Sequence, residues 1–460
     1  MKPHFIKTAS LIFVFLLSVM SLSSQQIFTL KQSLEYAVEN NRNLKKSHYD
    51  KEKAAFARRE VLGALLPQIS GSANLNDNLE KSKFIMPNFI NSMLPPSAQD
   101  PDAAKYMTIE MGTNFNANAG VSLIQQVINF SLFNTLEIAK AAEKMAVLGV
   151  ESSEEEVIYQ TANLFYAIQS AEYAVVQMEK SVELVSKMLV AMEVNYKNGL
   201  VKKVDVDRLK VNLVNLTTQK STMINRVDVQ KNLLKLQMGF EINNPIKIQP
   251  ISIVMFEEKA KSNVRLLFDI EGQTSYRLLM ERCNMANLQK KSAVFENLPT
   301  LSLMFNYQYS GVSDEFFRGE TNYWYPTSVV GLNLKVPIFS GGSRRAKIQQ
   351  NSMEIRKNQE EIEILEQSLN MTFINAQMKL DDACNTIILQ RENQNLAEEV
   401  FSVAENNYVL GLSSMSDILN ASQSLVQAQM SYANALNDYL KAHIEQLKAS
   451  GHLHNLLNEE

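Results

Sequence analysis

The side chains of this chain that could do chemistry are few and spread out. Its 5 histidines are scattered, and its 2 cysteines, Cys283 and Cys384, lie far apart. Neither cysteine has metal-ligand spacing, and each reads as a small apolar residue, buried or facing lipid, rather than half of a disulfide. His452-Leu453-His454 could hold a metal but reads as a polar, frayed tail. The 21 methionines fall at helical spacing instead of clustering, which marks them as flexible core filler rather than a metal path. The carboxylates sit on helix surfaces, and no Ser/His/Asp order, zinc spacing or phosphate loop occurs. The sequence therefore predicts no enzyme, no cofactor and no metal site. A net charge of −4 provides no field to attract nucleic acid.

What does recur is a polar constellation around a glycine. Asn195-Tyr196-Lys197-Asn198-Gly199-Leu200 is followed by Asp205, and Asn407-Tyr408-Val409-Leu410-Gly411-Leu412 by Asp417. Each copy lies between two long stretches without proline. A Gly-Leu bend there predicts the tip of a long helical hairpin, so one architectural unit is present twice.

The elements that must position these tips are read from proline and from period. After Pro3, prolines fall at Pro67, Pro87, Pro95, Pro96, Pro101, Pro245, Pro250, Pro299, Pro326 and Pro337, which leaves 102–244 and 338–460 free of them. Proline breaks helices, so these windows permit long ones. From Leu164 the apolar positions run through Ile168, Ala171, Val175, Met178, Val182, Val185, Leu189, Met192 and Tyr196, alternating four and three, a coiled-coil seam. Leu209, Leu213, Leu216, Met223, Val227 and Leu234 continue it, interrupted by Lys220 and Gln230. Leu419, Val426, Met430, Ala433, Leu440, Ile444 and Leu447 repeat the rule. A helix from Ser131 to Asn198 would be roughly 100 Å long at about 1.5 Å per residue, more than an ordinary globular core needs.

Four segments of about ten residues alternate with period two. Leu301, Leu303, Phe305, Tyr307 and Tyr309 oppose Thr300, Ser302, Asn306 and Gln308; Val330, Leu332, Leu334, Val336 and Ile338 oppose Gly331, Asn333 and Lys335. Ile69, Gly71, Ala73 and Leu75 oppose Gln68, Ser70, Ser72 and Asn74; Phe115, Ala117, Ala119, Val121 and Leu123 oppose Asn114, Asn116, Asn118 and Ser122. The N-terminus has Lys2, Lys7, an apolar run from Ala9 to Met20 and small residues before a cleavage point after Ser23, the pattern of a secretory signal peptide. No cysteine follows, which argues against an N-terminal lipid anchor. No later run is long enough for a membrane-spanning helix, so membrane entry requires a barrel. Tyr323-Trp324-Tyr325 is expected to form an interfacial girdle, and Asn306, Gln308 and Asn333 to face the barrel lumen. Segment 79–112 is expected to be a long extracellular loop, with 311–323 as its shorter counterpart. Four strands cannot close alone. Two copies give eight and three give twelve; eight fill their interior with side chains.

Several stretches together resemble the TolC-like outer-membrane efflux protein family. They are Phe28-Thr29-Leu30-Lys31-Gln32-Ser33-Leu34-Glu35-Tyr36-Ala37, Asn40-Asn41, Leu65-Leu66-Pro67-Gln68, and Val336-Pro337-Ile338-Phe339-Ser340-Gly341-Gly342, with the duplicated tip. In the first half the strand-to-helix exit reads Gln126-Val127-Ile128-Asn129, with Val127 where the family commonly has proline. The resemblance spans about 28–450. It implies a mixed α and membrane β fold with duplicated halves: four transmembrane strands plus long coiled-coil helices per chain, three copies forming a twelve-strand β-barrel continued by an α-helical tunnel.

The expected organisation is a signal peptide 1–23, a first tunnel helix 28–64, a first strand pair 65–130, and a first hairpin 131–240 with tip 196–205. An intermediate belt follows at 241–274, then a tunnel helix 275–297, a second strand pair 298–340, a second hairpin 341–450 with tip 408–417, and a flexible tail 451–460. The resemblance implies an outer-membrane channel of a tripartite efflux or type I secretion system in a Gram-negative bacterium. Its partners would be further copies of the chain, outer-membrane lipid, a periplasmic adaptor and an inner-membrane pump of the RND, ABC or MFS type. By position in the motif, Asp417 and Asn420 would ring the aperture, one carboxylate and one amide where the family often has two acids. Tyr408 and Asp205 would form a latch between hairpins. Gly199, Leu200, Val201, Gly411, Leu412 and Ser413 would be adaptor-docking tips, Ser413 replacing a commonly basic residue. From the residues alone, Asp417 reads equally as a helix cap after Ser413-Ser414. A competing class is an exported coiled-coil structural or adhesive protein without a pore.

Overall fold

The computed structural model describes residues 27–262, 266–316 and 322–458, so the expected signal peptide lies outside the described residues. The chain divides into two compact units. One holds Lys53–Glu143 and Cys283–Lys357; the other holds the residues up to Glu52, Lys144–Arg282 and Asn358 onward.

The first of these units is built on four antiparallel strands, β2 (Gln68–Asp77), β5 (Phe115–Ile128), β7 (Thr300–Ser313) and β8 (Tyr323–Lys335), in the order β2-β5-β7-β8. The two inner strands have 14 residues each, longer than the expected ten. The register puts Ser70, Ser122 and Asn306 in one cross-strand row, and Asn74, Asn118 and Ser310 in another. Ile69, Leu123, Phe305 and Val330 form a row on the opposite face. One face of the sheet is thus polar and the other apolar, as period two requires. The Ser70 and Ser122 hydroxyls lie 2.7 Å apart across strands. The ladder slips between Gln126 and Ile128, leaving Val127 as the extra residue of a bulge.

Two expectations about this unit need correction. Segment 79–112 is not a plain loop: it carries a hairpin of β3 (Ser82–Pro87) and β4 (Tyr106–Met111), with a one-turn helix α3 (Phe89–Met93) between them. Pro87 does not prevent this because it is the last residue of its strand and pairs at the rim. The girdle is also differently composed. Tyr325 pairs with Ser310 and Tyr323 with Val312, so both tyrosines lie on the polar face; only Trp324 lies on the apolar face. There it stacks on Tyr309 at 5.6 Å and covers Gly311, where any Cβ would meet the indole at 2.7 Å. Phe115, Tyr307, Tyr309 and Trp324 are apolar-face aromatics at that end. The expected loop over 311–323 lies partly outside the described residues.

The other unit is helical. Thr29 caps α1 (Leu30–Asn40) in a capping box with Gln32, and Phe28, in β1 (Ile27–Phe28), pairs in parallel with β6 (Lys247–Ile248). The single helix expected over 28–64 is broken at Asn41, whose side chain accepts from the backbone of Asn43 and Leu44 and so starts α2 (Arg42–Ala64). Its amide donates to the Gln237 carbonyl at 2.6 Å, which joins α1 to the end of α5 (Lys203–Met238). Gly239 ends α5 with φ 72°, and a Cβ there would lie 2.5 Å from the Asn40 carbonyl oxygen. Phe28, Tyr36 and Phe240 close this corner in edge-on contacts with centroids 5.7–6.0 Å apart.

Duplication is visible in the lengths. Helix α4 (Phe130–Lys197) has 68 residues and is followed by α5 with 36; α8 (Ser343–Val409) has 67 and is followed by α9 (Met415–Ser450) with 36. The expected seams are in place: Ile168, Met178, Val185 and Met192 on α4, Leu209, Leu216, Val227 and Leu234 on α5, and Leu440, Ile444 and Leu447 on α9 are buried. The helix expected at 275–297 is α7 (Thr274–Phe295), and the segment after Pro250 carries a ten-residue helix, α6 (Ile253–Ser262). The tail expected to be flexible and polar is packed among the described residues. Leu453–Leu457 is a 3₁₀ turn with Leu453 and Leu456 in the core. Two apolar side chains at spacing three outweigh the flanking histidines.

Candidate functional site

The two tips share one backbone geometry. Leu200 N–H donates to the Asn195 carbonyl and Gly199 N–H to that of Tyr196; Leu412 N–H donates to Asn407 and Gly411 N–H to Tyr408. The glycines have φ 76° and 74°, so each helix ends in a Schellman motif that requires a left-handed residue. The reentry helices then differ. Lys202 provides no side-chain cap for α5, whereas Ser414 and Asp417 form a full capping box on α9.

Asp417 therefore caps its helix. Its Oδ2 accepts from the Ser414 backbone N–H and hydroxyl, both at 2.7 Å, and its own N–H donates to Ser414 Oγ at 3.3 Å. The Ser414 hydroxyl, then its backbone N–H, holds the carboxyl below the usual carboxylate range. The side chain remains exposed, as does Asn420 one turn on. Asn420 lies beside Asp207, Arg208 and Asn212 in the groove between α5 and α9.

The structure does not bring Tyr408 and Asp205 into a hydrogen bond. The Tyr408 hydroxyl donates instead to Met192 Sδ at 3.2 Å. Asp205 pairs with Arg208 at 3.8 Å. Burial first, and then the Asp205 charge, pushes the phenol pKa up. The sequence places Met192 only in the seam, since nothing in its spacing marks the sulfur as an acceptor. Of the tip residues, Leu200 and Leu412 are about three-quarters exposed, at 73% and 75%. Val201 packs against the cluster that includes Met192, Val206 and Met415, and Ser413 donates to the Ala404 carbonyl at 3.1 Å, so these two belong to the fold of the bends. In the other unit, Asn306, Gln308 and Asn333 share the polar face of the sheet, and Gln308 donates to Ser310 Oγ at 3.0 Å.

Sequence reasoning missed one cluster. Tyr432 on α9 is fully buried and donates to Glu257 Oε1 on α6 at 2.8 Å. Arg391 on α8 reaches the same oxygen at 3.3 Å and lies over the Tyr432 ring. Burial and, next, the Glu257 hydrogen bond push the phenol pKa well up. Three distant segments meet here, and no local pattern announces it. Cys384 is buried nearby in sequence, with its thiol pushed up to about 11 by burial, and it forms no disulfide with Cys283.

Residues 282–452 match the family model described as Outer membrane efflux protein. The chain is 23% identical over 451 residues to Outer membrane protein TolC of Escherichia coli (strain K12), covering 95% of this chain and 84% of that protein. Among solved structures it is similar to the Campylobacter jejuni CmeC outer membrane channel, with TM-score 0.69, 17% identity and coverage of 92% and 86%. It is likewise similar to VceC of Vibrio cholerae, with TM-score 0.69, 15% identity and coverage of 92% and 96%. Duplicated hairpins and a two-faced four-stranded sheet thus accompany a match to the Outer membrane efflux protein model over the second half of the chain and a likeness to TolC and to the fold of outer-membrane channels.

Proposed function

We propose that three copies of this chain close a twelve-strand barrel in the outer membrane and continue it as a helical tunnel through the periplasm. The channel is a passive conduit of a tripartite efflux or type I secretion system, and its cargo is chosen by the pump. One observation carries the reading: the sheet has a polar and an apolar face, and among the described residues β2 and β8 are unpaired edges. An unpaired edge cannot remain in lipid, because each free backbone group costs several kcal/mol there. Pairing β8 of one copy with β2 of the next removes both edges. Twelve strands also leave a lumen that eight would fill. Asn306, Gln308 and Asn333 then face water, and Tyr307, Tyr309 and Trp324 the lipid boundary.

In this reading the tips are the periplasmic end. Asp417 provides one carboxylate ring and Asn420 one amide ring, which gives a modest cation preference, weaker than two acidic rings would give. Leu200 and Leu412 are docking points for an adaptor's helical hairpin, through which an RND, ABC or MFS pump engages. Tyr408 and Asp205 act as a latch only after the phenol leaves Met192.

The test is direct. The protein purified from outer membranes runs as an oligomer unheated and as a monomer after heating, and it conducts ions in planar bilayers. A species that shows neither property is an exported coiled-coil protein without a pore, and the proposal fails.

A further inference from the structure

We propose that a cavity among α4, α5 and α9 is a binding site for an amphiphilic monocarboxylate. The cavity has a volume of about 570 Å³, within the usual span for small-molecule sites, roughly 300–1,000 Å³. Ala171, Ala174, Met178, Met223 and Ala433 give it an apolar wall. Small side chains leave the space open, and methionines adapt to irregular guests.

Three polar atoms there lack partners. Ser170 is 3% exposed and lines the cavity, and its Oγ has no hydrogen bond. The Oε1 of Gln230 and Oδ1 of Asn437, also in the lining, are buried and unpaired. Elsewhere in this unit Ser181 and Gln429 do find each other, at 3.0 Å, while Thr161, Gln169 and Asn358 keep unpartnered atoms but do not line this cavity. An unmade hydrogen bond is costly, so such a cluster marks the place of an absent polar guest.

Charge fixes the class of that guest. Arg226 and Lys441 line the same cavity and form no ion pair among the described residues. Their neighbours on α5 behave differently: Lys220 pairs with Glu179 and Lys231 with Glu172, each at 2.7 Å. Two free cations above an apolar wall suit one anionic head on an apolar body. The head accepts from Arg226 and Lys441, and a hydroxyl or amide donor on the body satisfies Gln230 or Asn437. The cavity continues past Gln219 into the groove beside Asn420, but of the residues lining the two, those with unpaired buried atoms lie only here, which favours a small ligand over a segment of another copy.

The experiment uses the full-length protein in a non-ionic detergent with a diazirine derivative of dodecanoate as photoprobe. Mass spectrometry maps the labelled peptides, so partition into micelles does not count as binding. Expected is saturable labelling of peptides containing Met178, Met223 or Met430, displaced by excess dodecanoate. The double variant Arg226→Gln/Lys441→Gln should require about tenfold more probe, since it loses charge-assisted contacts. The matching diazirine alcohol should label both proteins alike. Labelling that does not saturate, that ignores the double variant, or that is absent because another copy covers the cavity overturns the proposal. Arg226 is exposed, so the variant should fold, and a thermal midpoint matching the parent's is the check.

Discussion

The Tyr432 hydroxyl should control how firmly α6 is held. Helix α6 has ten residues, too few to be stable alone. Phe256 and Ala260 anchor it in the core, and Phe256 meets Tyr166 edge-on at 5.9 Å. Glu257 ties it further, accepting from Tyr432 at 2.8 Å and pairing with Arg391 at 3.3 Å. Tyr432→Phe removes one oxygen and leaves the ring and the ion pair. A hydrogen bond to a charged group contributes about 1.5–3 kcal/mol. The Glu257 side chain is 23% exposed, so water replaces part of that and the lower end applies. A loss of about 1.5 kcal/mol raises the open population of α6 roughly tenfold. Amide hydrogen exchange read by mass spectrometry should show peptides over 253–262 exchanging about tenfold faster, with those at the tips unchanged. Exchange of α6 within twofold of the parent would show that the hydroxyl carries none of this tie. Tyr432→Ala, which also opens a cavity, should cost about 3–5 kcal/mol.

Other substitutions have equally definite outcomes. Gly239→Ala forces a left-handed alanine against the Asn40 carbonyl and should cost about 2 kcal/mol or more, read as a lower thermal midpoint. Ser414 lowers the Asp417 pKa, so the cap's stabilisation is present above the ordinary carboxylate pKa and lost as pH falls through the depressed one. Cation preference in bilayers should persist below the usual carboxylate range, and Ser414→Ala should move its loss to higher pH; an unmoved reversal-potential profile, or unchanged selectivity in Asp417→Ala, removes Asp417 from the aperture. Leu412→Asp should abolish copurification with an adaptor while leaving the oligomer intact, and copurification at the parent level refutes a docking role. Tyr408→Phe frees Met192 Sδ and should change resting conductance; an identical conductance ends the latch idea.

Much of this was readable from sequence, for identifiable reasons. The tips were legible because a left-handed residue that ends a helix is nearly always glycine, and Gly199 and Gly411 stand at matching places. The two faces of the sheet were legible because period two leaves no freedom once pairing begins. The girdle was misread for the same reason. Three consecutive aromatics cannot share a face, so Tyr323 and Tyr325 had to oppose Trp324. The break at Asn41 was hidden because the apolar pattern continues across it and only the side-chain cap interrupts the ladder. The hairpin at 82–111 was obscured by prolines that lie at its rim or outside its strands. The cluster of Glu257, Arg391 and Tyr432 had no sequence signal, since its members lie on three helices whose packing decides their meeting. The partner of Tyr408 was missed because a thioether accepts weakly and is rarely counted.

The open edges of the sheet also bear on how the protein comes to exist. β2 presents 10 residues and β8 presents 13, each with alternate backbone groups pointing away from the chain. In water such edges recruit any strand that passes. In lipid they have nothing to pair with. On the proposed three-copy barrel, a lone copy therefore has no resting place as a finished sheet, and completing the sheet and finding neighbours become one event. The yield of assembled protein should then rise more steeply than linearly with the concentration of newly exported chains.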